Sequence, residues 1–358
     1  MLSHHAHPSN LSGAHRVSGL ARELSALGWD ITLLAPRITS ESLYYDPSLE
    51  QETSYQRYPL ECLNLDGTER RQLNRFQKTS QRVLNEVLFP FFMPARISAE
   101  MLSSALKVDR HPDWIWSTYP PGYPHAVASI LRRRWQCAWV ADFRDTADQS
   151  RDNILVRRKV AEERLYCSSA DLLTATNEGQ ARLLRNRYRA PVEVITNGFD
   201  PFPSSDCVTE NQPPLILRYF GYIYDLKALQ LFLEGIRLAL DSPEQPDIRM
   251  EILGGEQVRE IESMIKHYAL LDSVFTLGRL SRSDTIESMR RSHILLLFCS
   301  RMVGHMVPGK LFEYMSARKP VLNIPGGTRP LEHILRATGI GRSIATRESI
   351  ADYLEIGR

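Results

Sequence analysis

The stretch VPGKLFEYMSARKPVL, Val307–Leu322, decides how the rest of the chain is read. Upstream lies the apolar run ILLLFC, Ile294–Cys299, and its own last residues open a second run, PVLNIP, Pro320–Pro325. Between them Leu311, Phe312 and Met315 recur at helical spacing, which predicts a helix over residues 309–318. Two apolar runs joined through a helix form a strand–helix–strand unit with parallel strands. Pro308 and Gly309 leave the first amides of that helix bare, and its positive end favours an anion such as a phosphate. Lys310 adds a formal charge there, and Glu313, one turn on, is suited to a pair of vicinal hydroxyls such as those of a ribose. The local pattern equally allows Lys310 and Glu313 to be solvated residues of an amphipathic helix.

Working outward, the same alternation recurs. Ahead of the stretch, ILRYFGY, IRMEILGG and VFTLGR read as strands, with helices near 226–240, 256–269 and 282–291. A polar, Pro-rich segment, FPSSDCVTENQPP, separates this series from an earlier one and reads as a linker. The earlier series has strands at DITLLAP, WIWST, AWVADF, DLLTAT and VEVITN, and helices from near Gly13 and at 123–136, 154–168 and 178–189. The predicted fold class is α/β: two tandem Rossmann-like, doubly wound parallel-sheet domains, residues 1–205 and 206–358. Ligands of such sheets bind beyond the carboxyl ends of the strands. A doubly wound domain opens on a strand, yet only MLSHHAHPSN precedes the first helix, and ESIADYLEIGR closes the chain as one short helix. The expectation is a clipped first strand and a clipped C-terminal end.

Composition narrows the class. The chain has 358 residues with 43% hydrophobic content, enough for more than one core. Lys plus Arg number 44 against 42 for Asp plus Glu, an even balance in both domains that leaves no footprint for nucleic acid. The five cysteines, Cys62, Cys137, Cys167, Cys207 and Cys299, are widely spaced, without a CxxC or a Cys/His cluster, and read as reduced cytoplasmic thiols. The longest apolar runs fall well short of the ~20 residues of a membrane span. Neither glycine loop reads GxGxxG, which argues against a nicotinamide dehydrogenase.

The order and spacing of HPSNLSGAHRVSGLARELSALGWDITLLAP, WVADFRDTAD, VITNGFD, LGRLSRSDTIESMRRSHILLLF and VPGKLFEYMSARKPVL resemble the GT-B glycosyltransferases, specifically the retaining nucleotide-sugar enzymes of glycosyltransferase family 4. The resemblance runs over nearly the whole chain. It implies an acceptor-side first domain and a donor-binding second domain, their glycine loops facing each other if the domains are stacked. It makes Glu313 the holder of the nucleotide ribose, with the amides near Gly309, Lys310 and Leu311 facing phosphate and sugar. The family carries a second glutamate where this chain has His305, and a diphosphate-clamping arginine where it has Tyr222 beside Gly221. Lys227 remains as a cation of that clamp, and Arg279 is a second candidate near base or phosphate.

In the first domain the resemblance makes Gly13 the glycine whose backbone approaches donor phosphate or acceptor, and Arg144 replaces a histidine that contacts the donor sugar. Asp142, Arg144 and Asp145 resemble a subset with a D-x-R-D segment and an upstream PP-x-x-x-H, here Pro120, Pro121 and His125. The residues themselves leave alternatives: an Arg–Asp pair at a strand end is also structural glue, a lone histidine beside Val127, Ala128 and Leu131 is also a core residue, Gly13 is also a helix-start glycine, and Lys227 is also a surface lysine. Asn197, Gly198 and Asp200 read as hinge structure.

The implied reaction is transfer of a sugar from a nucleotide-diphosphate sugar to a glycan or lipid-linked acceptor, with retention. No cofactor and no metal are expected, because helix amides and lysines can stabilise the leaving diphosphate and the nearest carboxylates, Asp142 and Asp145, have an arginine between them. A nucleotide-sugar epimerase of the same fold and a degenerate, non-catalytic binding protein are the competing readings. Residues 70–107, with Arg71, Arg75, Lys78 and Arg82 ahead of LFPFFMPARI, suit a peripheral membrane contact or, alternatively, a helical pair covering the sheet.

Overall fold

The computed structural model of the chain describes residues 1–42, 44–50, 54–60, 98–108, 110–146, 154–200, 202, 213–243, 245–254, 258–299 and 307–356. It divides into two compact units, Met1–Thr196 and Asn197–Arg358.

In the first unit α1 (Ser12–Ala26) leads to β1 (Thr32–Pro36) and β2 (Gln56–Leu60). Then come β3 (Trp114–Tyr119), α2 (Tyr123–Trp135), β4 (Ala138–Phe143), α3 (Ile154–Cys167), β5 (Leu172–Ala175), α4 (Glu178–Arg187) and β6 (Val192–Val194). All the pairings are parallel. Residues 1–3 run between two strands: Leu2 bridges Leu34 of β1 on one side and Ser117 of β3 on the other. Its amide donates to Trp116 O at 2.8 Å, and Ser3 N donates to Leu34 O at 3.1 Å. The segment that follows, His4–Leu11, therefore opens at the place where the strand order reverses.

The second unit runs β7 (Leu215–Phe220), α5 (Leu226–Leu240), β8 (Ile248–Leu253), α6 (Val258–His267), β9 (Val274–Leu277), α7 (Arg282–Arg290), β10 (Ile294–Phe298) and α8 (Lys310–Ala317). It ends in β11 (Val321–Ile324), α9 (Arg329–Thr338), β12 (Gly341–Ser343) and α10 (Arg347–Ile356). The sheet order is β12-β11-β10-β7-β8-β9. That is the doubly wound order, and its reversal lies between β7 and β10. Both faces are covered, as a parallel sheet requires. Ile294, Leu296 and Phe298 of β10 enter one core with α5 and α10, while Leu295 and Leu297 enter another with Leu311, Phe312 and Tyr314 of α8. Period-two alternation thus explains why the run ILLLF has no polar position. Burying each of those large side chains contributes about 1.5–3 kcal/mol.

The strands and helices read in the sequence are present within a few residues. Among the described residues, β2, α9, β12 and the single 3-10 turn Pro47–Leu49 are not part of that reading. The basic and apolar segment proposed for membrane contact, residues 70–107, lies mostly outside the described residues, as does His305. Among the described residues no helix is long and apolar enough to cross a membrane.

Candidate functional site

At the reversal point of the second sheet, Gly221 ends β7 with φ +91° and Gly254 ends β8 with φ +81°. Only glycine holds such backbone without strain. The two glycines touch: a Cβ placed on Gly254 would lie 3.9 Å from Gly221 N and 3.8 Å from Arg279 Cγ. On Gly221 it would lie 3.4 Å from Lys310 Nζ. Gly221, Gly254 and Arg279, from three separate loops, and Lys310, the first residue of α8, therefore gather beyond the carboxyl ends of β7, β8 and β9.

Lys310 is the centre of this group. Its ammonium donates to Tyr219 Oη and to Phe220 O, both at 2.6 Å, and lies 4.0 Å from the Tyr219 ring centroid. Tyr219 Oη passes its own proton on to Tyr222 O at 2.7 Å. The residue is half-buried but its ammonium head is enclosed, and that burial lowers its pKa to about 7, with Glu313 and Cys299 pulling the other way. The same burial pushes the Tyr219 phenol up.

The amides of α8 are only partly bare. Leu311 N donates to Pro308 O and Phe312 N to Gly309 O, each at 3.1 Å. Those of Gly309 and Lys310 have no partner among the described residues. Leu311 itself is turned wholly into the core, so the site takes the start of the helix but not that side chain. Glu313 is half-exposed, and its Oε1 accepts from Arg282 Nη1 at 2.6 Å. Lys227 is exposed and pairs with nothing among the described residues. From the far side of α8, Ser316 Oγ donates to Asp200 O at 2.6 Å and accepts from Phe202 N at 3.1 Å, fastening the segment that leads out of the first unit.

The first unit resolves its candidates differently. Asp142 is fully buried and both of its oxygens are saturated: Oδ1 accepts from Arg16 Nη2 at 2.7 Å and Thr174 Oγ1 at 2.6 Å, Oδ2 from Arg16 Nε at 3.2 Å and Thr118 Oγ1 at 2.8 Å. Burial alone would raise its pKa; Arg16 and the two hydroxyls outweigh this and hold it below the usual carboxylate value. Arg16 also donates to the carbonyls of Ile195 and Thr196 at 2.9 Å. The partner of Asp142 is thus Arg16, not Arg144, and the pair ties α1 to β4 and to the chain's exit from the unit. Asp145 sits half-buried behind it and accepts from Thr146 N at 2.8 Å.

Arg144 turns instead toward the loop after the first strand. Its Nε donates to Thr118 Oγ1 at 3.2 Å and its Nη2 to Pro120 O. Its Nη1 lies against Gly13: a Cβ there would stand 1.8 Å from that nitrogen and 3.2 Å from His5 Cδ2. The absence of a side chain at Gly13 is thus what lets the Arg144 guanidinium take this seat; the resemblance gave Gly13 a different neighbour. Burial lowers the Arg144 pKa to about 10, and burial with His4 and Arg144 lowers that of His5 to about 3. His4 Nδ1 is hydrogen-bonded to Tyr123 Oη at 2.7 Å.

His125 does not join this group. It is buried among Tyr119, Trp139 and Phe143, with Nδ1 2.7 Å from a Ser117 Oγ that also accepts from Trp139 Nε1. Burial lowers its pKa to about 3, so it is a neutral core residue. The sequence reading missed Arg16, Arg282, Gly254, Tyr219, His4 and His5. Of these, Gly254 alone carried a signal: it follows an apolar strand in ILGG, as Gly221 does in YFGY.

No group of three His, Cys, Asp or Glu among the described residues is arranged to hold a metal ion. Residues 13–198 match the family model described as a glycosyl transferase 4-like domain, and residues 208–355 match that of glycosyl transferases group 1. Among solved structures the chain is similar to sucrose-phosphate synthase from Thermosynechococcus elongatus, at 14% identity and a TM-score of 0.64, over 99% of this chain and 88% of that one. It is similar to Anabaena Alr3699/HepE in complex with UDP, at 14% identity and 0.61, over 99% and 88%. A third is WaaG, a glycosyltransferase involved in lipopolysaccharide biosynthesis, at 12% identity and 0.57, over 100% and 90%. No curated protein matches the chain.

Proposed function

The chain belongs to the glycosyl transferase 4-like family and is a glycosyltransferase, and from that premise we propose that it moves a sugar from a nucleoside-diphosphate sugar to a glycan or lipid-linked acceptor, retaining the anomeric configuration and using no metal. The observation that carries the donor class is the meeting of Gly221, Gly254, Arg279 and Lys310 beside the bare amides of Gly309 and Lys310. Two closely approached glycines, two cations and a helix start form a cradle for a diphosphate, whose charge grows as the glycosidic bond breaks. Lys310 would supply the cation that Tyr222 does not. Glu313 would accept from the ribose hydroxyls. Lys227 lies further out on the first turn of α5 and would act on the diphosphate through solvent. The donor-sugar role that the resemblance gives to the position of His305 falls outside the described residues.

In the first unit Arg144, with Gly13 and His5 against it, would meet the sugar or the incoming acceptor, with Asp145 adjoining. Asp142 is unsuited to hold a metal, since its lone pairs are already spent on four donors. Peripheral membrane contact, which would bring a lipid-linked acceptor to a protein in the cytoplasm, belongs to the same proposal. The test is turnover of a panel of nucleoside-diphosphate sugars with and without acceptor glycans, beginning with UDP-glucose, since similar structures hold UDP and UDP-glucose. Transfer with the anomeric configuration kept, seen by NMR of the product and undiminished by EDTA, is the expected result. Sugar inversion without acceptor would make the chain an epimerase, and binding without turnover a degenerate transferase.

A further inference from the structure

One ion pair of the second unit runs against its local chemistry. Arg282 is the first residue of α7, where the helix dipole disfavours a cation; Ser281 and Asp284 in the same turn are the residues that such a terminus prefers. Its guanidinium leaves that helix and binds Glu313 of α8 at 2.6 Å, with 22% and 29% of the two side chains exposed. A pair so exposed contributes little to stability. Its geometry is specific, however: only Oε1 of Glu313 is taken, and Oε2 has no partner among the described residues. The loop that leads into Arg282 carries Arg279, whose Cγ is 3.8 Å from the Cβ position of Gly254. The loop and first residue of α7 therefore reach the glycine cradle and the carboxylate together.

We propose that Arg282 is a positioning residue for donor recognition: by holding Oε1 of Glu313 it aims Oε2 at the ribose hydroxyls and so sets the preference for a ribonucleotide over its deoxy forms. This rests on the reading of the second unit as a nucleoside-diphosphate site. A carboxylate free to rotate would have to be ordered by the ligand itself, and that ordering would lower the affinity gained from the hydrogen bonds it accepts. Charged hydrogen bonds to a ribose hydroxyl are strong enough that losing one costs about tenfold in affinity or more.

The test is calorimetric titration of the intact chain with UDP, 2′-deoxy-UDP and 3′-deoxy-UDP, for the wild type and for Arg282→Gln, Arg282→Lys and Glu313→Gln, with melting curves to show that each variant is folded. The wild type is expected to prefer UDP by about tenfold. Arg282→Gln and Glu313→Gln are both expected to bring that preference below about threefold, and Arg282→Lys to restore part of it because an ammonium can still hold one oxygen. If Glu313→Gln abolishes the preference while Arg282→Gln keeps it, Arg282 is a surface partner and the inference falls alone. If the wild type binds UDP without any preference, it falls as well. If the folded wild type binds none of UDP, ADP and GDP, the inference and the donor site fall together.

Discussion

Asp142 and Glu313 are both carboxylates near the end of a strand or the start of a helix, both paired with an arginine, and they serve opposite ends. Asp142 is buried and accepts four hydrogen bonds, so nothing is left to offer a ligand. Glu313 is half-exposed and gives one oxygen to one arginine. The difference lies in saturation rather than in residue type: a satisfied charge holds a fold, and a half-satisfied one beside a cradle of glycines is available for chemistry.

The contrast breaks first at Arg16. Replacing Arg16 by Met leaves Asp142 charged, buried and short of two donors, and removal of one partner of a buried pair costs about 3–5 kcal/mol. Urea unfolding should show that loss in the first unit, with UDP affinity of the folded protein unchanged. Glu313→Gln should do the reverse, costing nucleotide affinity and almost no stability. An Arg16→Met protein as stable as the wild type would mean that the buried cluster is ornamental.

Gly13 sharpens the same contrast within the first unit. Alanine there would place its Cβ 1.8 Å from Arg144 Nη1, so the guanidinium must leave its seat on Thr118 and Pro120. A displacement of about 1 Å at a reacting group costs on the order of a hundredfold in rate. Gly13→Ala should therefore lose turnover by about that factor while its Asp142 cluster and melting temperature stay in place; full activity would remove Arg144 from the site.

How far the sequence could anticipate this differs by level. Strand–helix alternation was legible because both periodicities are local. Runs such as ILLLF and PVLNI read as buried strands, and Asn177, Asp225 and Ser281 cap the helices that follow them. The helix Arg329–Thr338 carried the same kind of signal, a Thr328 cap, Pro330 and Gly339, yet the strand it serves, Gly341–Ser343, is too short and polar to announce itself. Gly13, Gly221, Lys310 and Glu313 could be named as candidates because loop glycines and helix starts are local features. Pairing could not. Arg16 and Asp142 are 126 positions apart, Arg282 and Glu313 31 apart, and no periodicity reports which arginine meets which acid.

Lys310 gives a smaller, pH-dependent effect. Burial lowers its pKa from 10.5 to about 7 in the folded chain. Between those values the unfolded chain binds the extra proton, so stability rises with pH across the window, by at most about 1.4 kcal/mol per pH unit. The charged form penalises the fold below pH 7, and the penalty is relieved as pH approaches 10.5. Lys310→Met should remove that slope from the difference between variant and wild type in urea titrations at pH 7 to 10.5. It should also weaken UDP binding; an unchanged slope would mean that the ammonium is solvated rather than enclosed.

The two lysines of the donor side give the finest test, because Lys310 is held at the strand end while Lys227 stands in solvent. An exposed cation acts through water, where a single charge contributes about 0.3–1 kcal/mol and salt screens it. Lys227→Gln should weaken UDP by about two- to fivefold at low salt and hardly at all at 0.5 M, a concentration at which the screening length is only about 4 Å. Lys310→Met should keep its larger effect at both, since its interaction is not made through solvent. If the salt dependence attaches to Lys310 and the larger loss to Lys227, the diphosphate sits at the start of α5 instead of the start of α8.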